Sequence, residues 1–83
     1  MPHLPITIGK DDVNHYHVST ILIGNGYAFD YETMVFSAGE DVVYEARYAT
    51  EWEAKIGHLH AIYLARNDKF LPRESAPPTA QQL

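Results

Sequence analysis

Tyr48-Ala49-Thr50-Glu51-Trp52-Glu53-Ala54 decides the fold, because the chain changes its period there. Before it, from Val18 to Tyr48, apolar residues fall in short strand-like runs separated by turn residues. After it, Glu51 to Arg66 reads as one helix. Thr50 and Glu53 form a T-x-x-E capping box at the join. The Thr50 hydroxyl can accept from the Glu53 amide, and the Glu53 carboxylate can accept from the Thr50 amide. Strands first and one helix last is an α+β arrangement.

Upstream of the join, three strands are expected. His17 to Ile23 is the first, with Val18, Thr20 and Leu22 on one face and Ser19, Ile21 and Ile23 on the other. Gly24-Asn25-Gly26 ends it, since both residue types tolerate positive φ. Tyr31 to Ser37 is the second, with Tyr31, Thr33 and Val35 sharing a face. Ala38-Gly39-Glu40-Asp41 is a hairpin turn. Val42 to Tyr48 is the third: Val42, Tyr44, Ala46 and Tyr48 share one face, and Val43, Glu45 and Arg47 the wetter one. Connections this short make an antiparallel meander, because parallel pairing needs long crossovers. Residues 1–15 read as irregular, with Pro2 and Pro5 removing donors, a short edge strand available at Ile6 and Ile8, and a turn at Gly9-Lys10-Asp11-Asp12.

Downstream, Trp52, Ile56, Leu59 and Tyr63 form one apolar stripe at i, i+4, i+7 and i+11. Ala54, Gly57, Ala61, Leu64 and Ala65 form a second side that is small rather than polar. One sheet can cover only one of these sides. By residue size alone, Trp52 and its stripe are expected to face the sheet. Gly57 in mid-helix costs roughly 0.5–1 kcal/mol relative to Ala, a cost that close approach of another backbone could offset. Asn67 is the expected left-handed stop. Phe70 and Leu71 are placed to fold back onto the domain. The stretch 72–83, PRESAPPTAQQL, lacks apolar periodicity and reads as a disordered tail, leaving 1–71 as a single small domain.

Composition narrows the functional classes. Eighty-three residues support one modest core. No cysteine is present, which removes disulfides, thiolate metal sites and cysteine nucleophiles. The net charge is −5, with six Lys and Arg that do not cluster, so nucleic acid is a poor partner. No apolar run approaches the roughly 18 residues that span a bilayer, and the N-terminus has no signal-peptide pattern, so a membrane partner is not expected.

Chemical motifs are sparse. His15 and His17 could share a strand face and meet one ion with a third ligand from elsewhere, such as His58 or a carboxylate. His58 and His60 lie about 200° apart on a helix and cannot chelate together. Unliganded histidines, on the surface or paired with carboxylates, are the simpler reading, so no metal and no cofactor is assigned. No serine sits in a G-x-S-x-G elbow, and Gly24-Asn25-Gly26 lacks the third glycine and the following helix of a phosphate loop. Asp30 and Glu32 could share a face, but a carboxylate pair also needs a cleft that one small sheet rarely makes. No catalytic residue is assigned and enzymatic activity is not expected.

The aromatic content is more informative: one Trp, six Tyr and three Phe complete a small core or furnish an interface. A leftover apolar surface marks a partner, and self-association is the simplest way to supply one. Trp52, Ile56, Leu59 and Tyr63, with Gly57 and Ala61, are the candidate interface residues.

The run Tyr31-Glu32-Thr33-Met34-Val35-Phe36, then Arg47-Tyr48-Ala49-Thr50, Glu53-Ala54 and Gly57-His58, resembles a group of small uncharacterised proteins encoded by phages of actinobacteria. The likeness covers about residues 18–66. It brings no catalytic residues. It implies phage origin and a place in the cytoplasm of a bacterial host. It also favours the small side of the helix, with Ala54, Gly57 and His58, as the one against the sheet, opposite to the expectation from size. The functional expectation is a non-enzymatic binding protein that engages or inhibits a host protein as a homo-oligomer. A virion structural or assembly protein is the alternative, and a histidine-liganded metal protein a further one.

Overall fold

A computed structural model describes residues 6–24 and 30–70. It is an α+β fold: β1 (Ile6–Val13), β2 (Tyr16–Leu22), β3 (Tyr31–Phe36), β4 (Val42–Tyr48) and α1 (Glu51–Arg66). The four strands form one antiparallel sheet in the order β1-β2-β3-β4. α1 crosses one face of it and touches all four strands.

The sheet has one strand more than the three-stranded meander expected. The Gly9-Lys10-Asp11-Asp12 stretch is not a turn; it lies inside β1. The turn comes later, at Asn14-His15, where Asn14 takes φ 58°. β1 is an edge strand, and an edge tolerates polar residues that a central strand does not. Its alternation is real but disguised. Gly9, Asp11 and Val13 stand opposite Thr20, Val18 and Tyr16. A glycine and an aspartate thus occupy positions where apolar residues would have signalled a strand.

The central strands follow the expected alternation. Val18 and Thr20 of β2, with Thr33 and Val35 of β3, are wholly buried beneath α1. β2 begins one residue earlier than expected, and its first residue, Tyr16, joins Val18, Val35, Ala61 and Ala65 in the core. In β4 the register shifts beside Phe36, which pairs with Val42 while Val35 pairs with Tyr44. The shift bulges the chain at Val43, so Val43 packs on the core although simple alternation puts it on the wet face. The β3–β4 turn falls where expected, closed by Glu40 N–H donating to the Ser37 carbonyl at 2.8 Å.

α1 has the bounds read from the sequence, and its capping box is formed: the Glu53 amide donates to Thr50 Oγ1 at 3.1 Å, and the Thr50 amide donates to the Glu53 carboxylate at 3.2 Å. At the other end the expected left-handed Asn67 is instead near φ −100°, and Asp68 takes the left-handed turn at φ 54°. Asn67 stops the helix by another route, its side-chain amide donating to the Tyr63 carbonyl at 2.8 Å. Phe70 then folds back onto Tyr16 and Tyr44, at ring-centroid distances of 4.9 and 5.5 Å. Leu71, the tail expected over 72–83 and the loop at 25–29 lie outside the described residues.

Candidate functional site

The helix turns its small side to the sheet. Ala54, His58, Ala61 and Ala65 are its buried residues. The expectation from residue size, with Trp52 inward, is therefore corrected. The reason lies in what the sheet supplies. Tyr16, Tyr44 and Tyr48 rise from its inner face, with Phe70 beside them, and fill the layer with rings. A helix packed over large rings must offer Ala and Gly. Gly57 is the closest approach. A Cβ there would fall on the Tyr48 ring and hydroxyl.

His58 is the one large side chain among the buried residues of α1, with Ile62 packed partly buried beside the core, and three positions are shaped around it. Its Nε2 lies 2.8 Å from Asp11 Oδ2. Its Nδ1 lies 2.6 Å from Thr20 Oγ1, which lies 2.5 Å from Thr33 Oγ1. An ionised carboxylate only accepts, so Nε2 carries the proton that it donates to Asp11. In the neutral ring, Nδ1 then accepts from the Thr20 hydroxyl, which in turn accepts from Thr33. Room for the ring comes from Gly9, where a Cβ would stand 2.7–2.9 Å from three imidazole atoms. Sequence reasoning missed this chain. Asp11 and His58 are 47 residues apart, and no local pattern links them.

The order carboxylate–imidazole–hydroxyl has the components of a nucleophilic triad. Thr20 is wholly buried between sheet and helix, however, and no substrate carbonyl can reach its oxygen. What the chain can do is satisfy polar groups inside the core and fix the helix on the sheet.

The other candidate ligands do not converge. His17 pairs across strands with Asp12, Nδ1 to Oδ1 at 2.7 Å. His15 lies in the β1–β2 turn, its ring tilted against Tyr16 at 4.3 Å between centroids and its Nε2 4.0 Å from Asp68. Among the described residues no group of three or more His, Asp or Glu is close enough to hold a metal ion. A shallow hollow lined by His17, Phe36, Ser37 and Glu40 has His17 already committed to Asp12. Of the two carboxylates Asp30 and Glu32, Glu32 accepts from Arg47 Nε across strands at 3.2 Å. Among the described residues no helix is long and apolar enough to cross a membrane.

What remains is the outward face of α1. Trp52, Ile56, Leu59 and Tyr63 are 71%, 50%, 66% and 48% exposed. Four of the six candidate interface residues therefore form a continuous apolar stripe in water. The other two, Gly57 and Ala61, face the sheet and are not part of it. Charge flanks the stripe: Glu51 pairs with Lys55 at 3.2 Å on one side, and Glu53 and His60 stand on the other. Lys69 lies 5.7 Å above the Tyr63 ring. No protein-family profile matches the chain, and comparison with curated proteins and with solved structures gives no significant match.

Proposed function

We propose that this is a non-enzymatic binding protein that associates through the outward face of α1, encoded by a phage to engage or inhibit a host protein, and assembled as a homo-oligomer. One observation carries the reading: the helix leaves four large apolar residues, Trp52, Ile56, Leu59 and Tyr63, in water while its buried residues are Ala54, His58, Ala61 and Ala65. None of these four side chains belongs to the packed core of the subunit. Burying a large apolar side chain is worth roughly 1.5–3 kcal/mol, so a stripe of four is a substantial reserve of binding free energy. Single exposed apolar residues are ordinary; a contiguous patch at helical spacing is the kind of surface that meets another protein. Phage origin and the host target rest on the resemblance of residues 18–66 alone.

The test is a photo-crosslinking residue placed at Leu59 in protein produced inside an actinobacterial host. An adduct with a host protein or with a second copy of the chain supports the reading, and mass spectrometry says which. If probes at Leu59 and Ile56 give no protein adduct at all, the outward face is not an association surface and the reading is wrong.

A further inference from the structure

We infer that the occupant of this face is a second copy of the chain, its helix lying antiparallel, with Trp52 against the second copy's Tyr63 and Ile56 against its Leu59. The inference deepens the binding reading above and rests on it.

The stripe advances in steps of four, three and four residues. That is a heptad seam, with Ile56 and Tyr63 at one core position and Trp52 and Leu59 at the other. It also reads the same in both directions: aromatic, aliphatic, aliphatic, aromatic. Turning the helix end for end about a point between Gly57 and His58 places each ring on a ring and each aliphatic on an aliphatic. A surface that maps onto itself by such a rotation is what a twofold interface requires.

The flanking charges choose the direction. Antiparallel pairing sets Glu53 beside the second copy's His60. Arg66, one heptad beyond Leu59, then falls at the second copy's first turn, where Glu51 and Glu53 stand. Parallel pairing brings the two acidic first turns together and the two Arg66 side chains together, and like charges in register disfavour it. Antiparallel helices also set opposite dipole ends side by side.

The area is adequate but not generous. With 71% of Trp52 and 48% of Tyr63 exposed, these two rings alone leave roughly 200–300 Å² uncovered per subunit. Ile56 and Leu59 add to it. A standard interface covers about 800 Å² per partner, so the charged flanks must close around the seam. The dimer is therefore expected to depend on protein concentration and to weaken in high salt.

The chain has no cysteine, which makes disulfide trapping clean. Trp52→Cys and Tyr63→Cys proteins are prepared separately, checked for retained helix by circular dichroism, mixed and oxidised. The inference predicts the 52–63 heterodisulfide as the dominant product, well above its random share, while Glu45→Cys, on the opposite face of the sheet, gives no enrichment with either. Dominant 52–52 and 63–63 products mean parallel pairing and overturn it. Absence of every seam disulfide, with unmodified protein monomeric at the same concentration, overturns self-pairing altogether. In that case a Leu59 photo-adduct with a foreign protein still upholds the binding reading, so the two fail separately.

Discussion

Gly57 and Gly9 occupy places that side chains of the opposing layer have already filled. Ala at position 57 gains about 0.5–1 kcal/mol of helix propensity, yet its Cβ falls on the Tyr48 ring. Overpacking costs more than propensity returns, so Gly57→Ala is expected to destabilise the fold by about 1–2 kcal/mol in urea titration. A neutral or stabilising result would place Tyr48 elsewhere. Tyr16 offers a test by pH. Its hydroxyl donates to the Asp68 carboxylate, and this bond, then burial, then the Asp68 charge raise its pKa above the usual value. A raised folded-state pKa means stability that is fully present below the unfolded phenol's pKa of about 10 and lost as pH rises through the folded value. Alkaline unfolding should therefore soften in Tyr16→Phe and Asp68→Asn, measured as a flatter fall of melting temperature above about pH 10. An unchanged alkaline slope in both variants would mean that the Tyr16–Asp68 bond does not contribute. The His58 chain marks the limit of sequence reading at this scale. Gly9, Asp11 and Thr20 each look unremarkable alone; only the folded register brings them to one imidazole.

At the scale of elements, what was legible was what is local. The start of the helix came from a capping box closed within four residues, and Thr50→Ala should cost about 0.5–2 kcal/mol by removing it. Thr50→Ser should keep most of that stability, and a thermal melt of both variants separates lost capping from lost packing. β2 and β3 were legible because their buried faces carry Tyr, Val and Thr in strict alternation, and β4 because Tyr44, Ala46 and Tyr48 alternate with the exposed Glu45 and Arg47. β1 was legible only at its start, where Ile6 and Ile8 offered a short edge strand; beyond them its inward positions include Gly9 and Asp11, which accommodate His58 rather than serve apolar burial. The bulge at Val43 was equally hidden, since it arises from register with β3 and not from a residue type that announces it. The face of α1 was misjudged on size for a related reason. Which side of a helix meets a sheet depends on how much volume the sheet has already placed between them, and here Tyr16, Tyr44 and Tyr48 had filled that layer.

The described residues form a four-stranded sheet with one helix on one face, and four of that helix's large apolar residues are turned to water. Four such side chains are costly for a core this small to leave out, unless a partner covers them. The candidate stripe was visible in the sequence as a spacing, but its direction was not, because the sheet decides it. Association through α1 is the claim on which the functional account depends, and molar mass in solution tests it most directly. Sedimentation equilibrium over a concentration series should show the wild-type chain rising from 9.4 kDa toward twice that value. Leu59→Asp, which puts a charge in the middle of the stripe without touching the core, should stay at 9.4 kDa and keep its helix. A wild-type chain that remains at 9.4 kDa throughout, or a Leu59→Asp variant that associates equally well, would contradict association of two copies through this face.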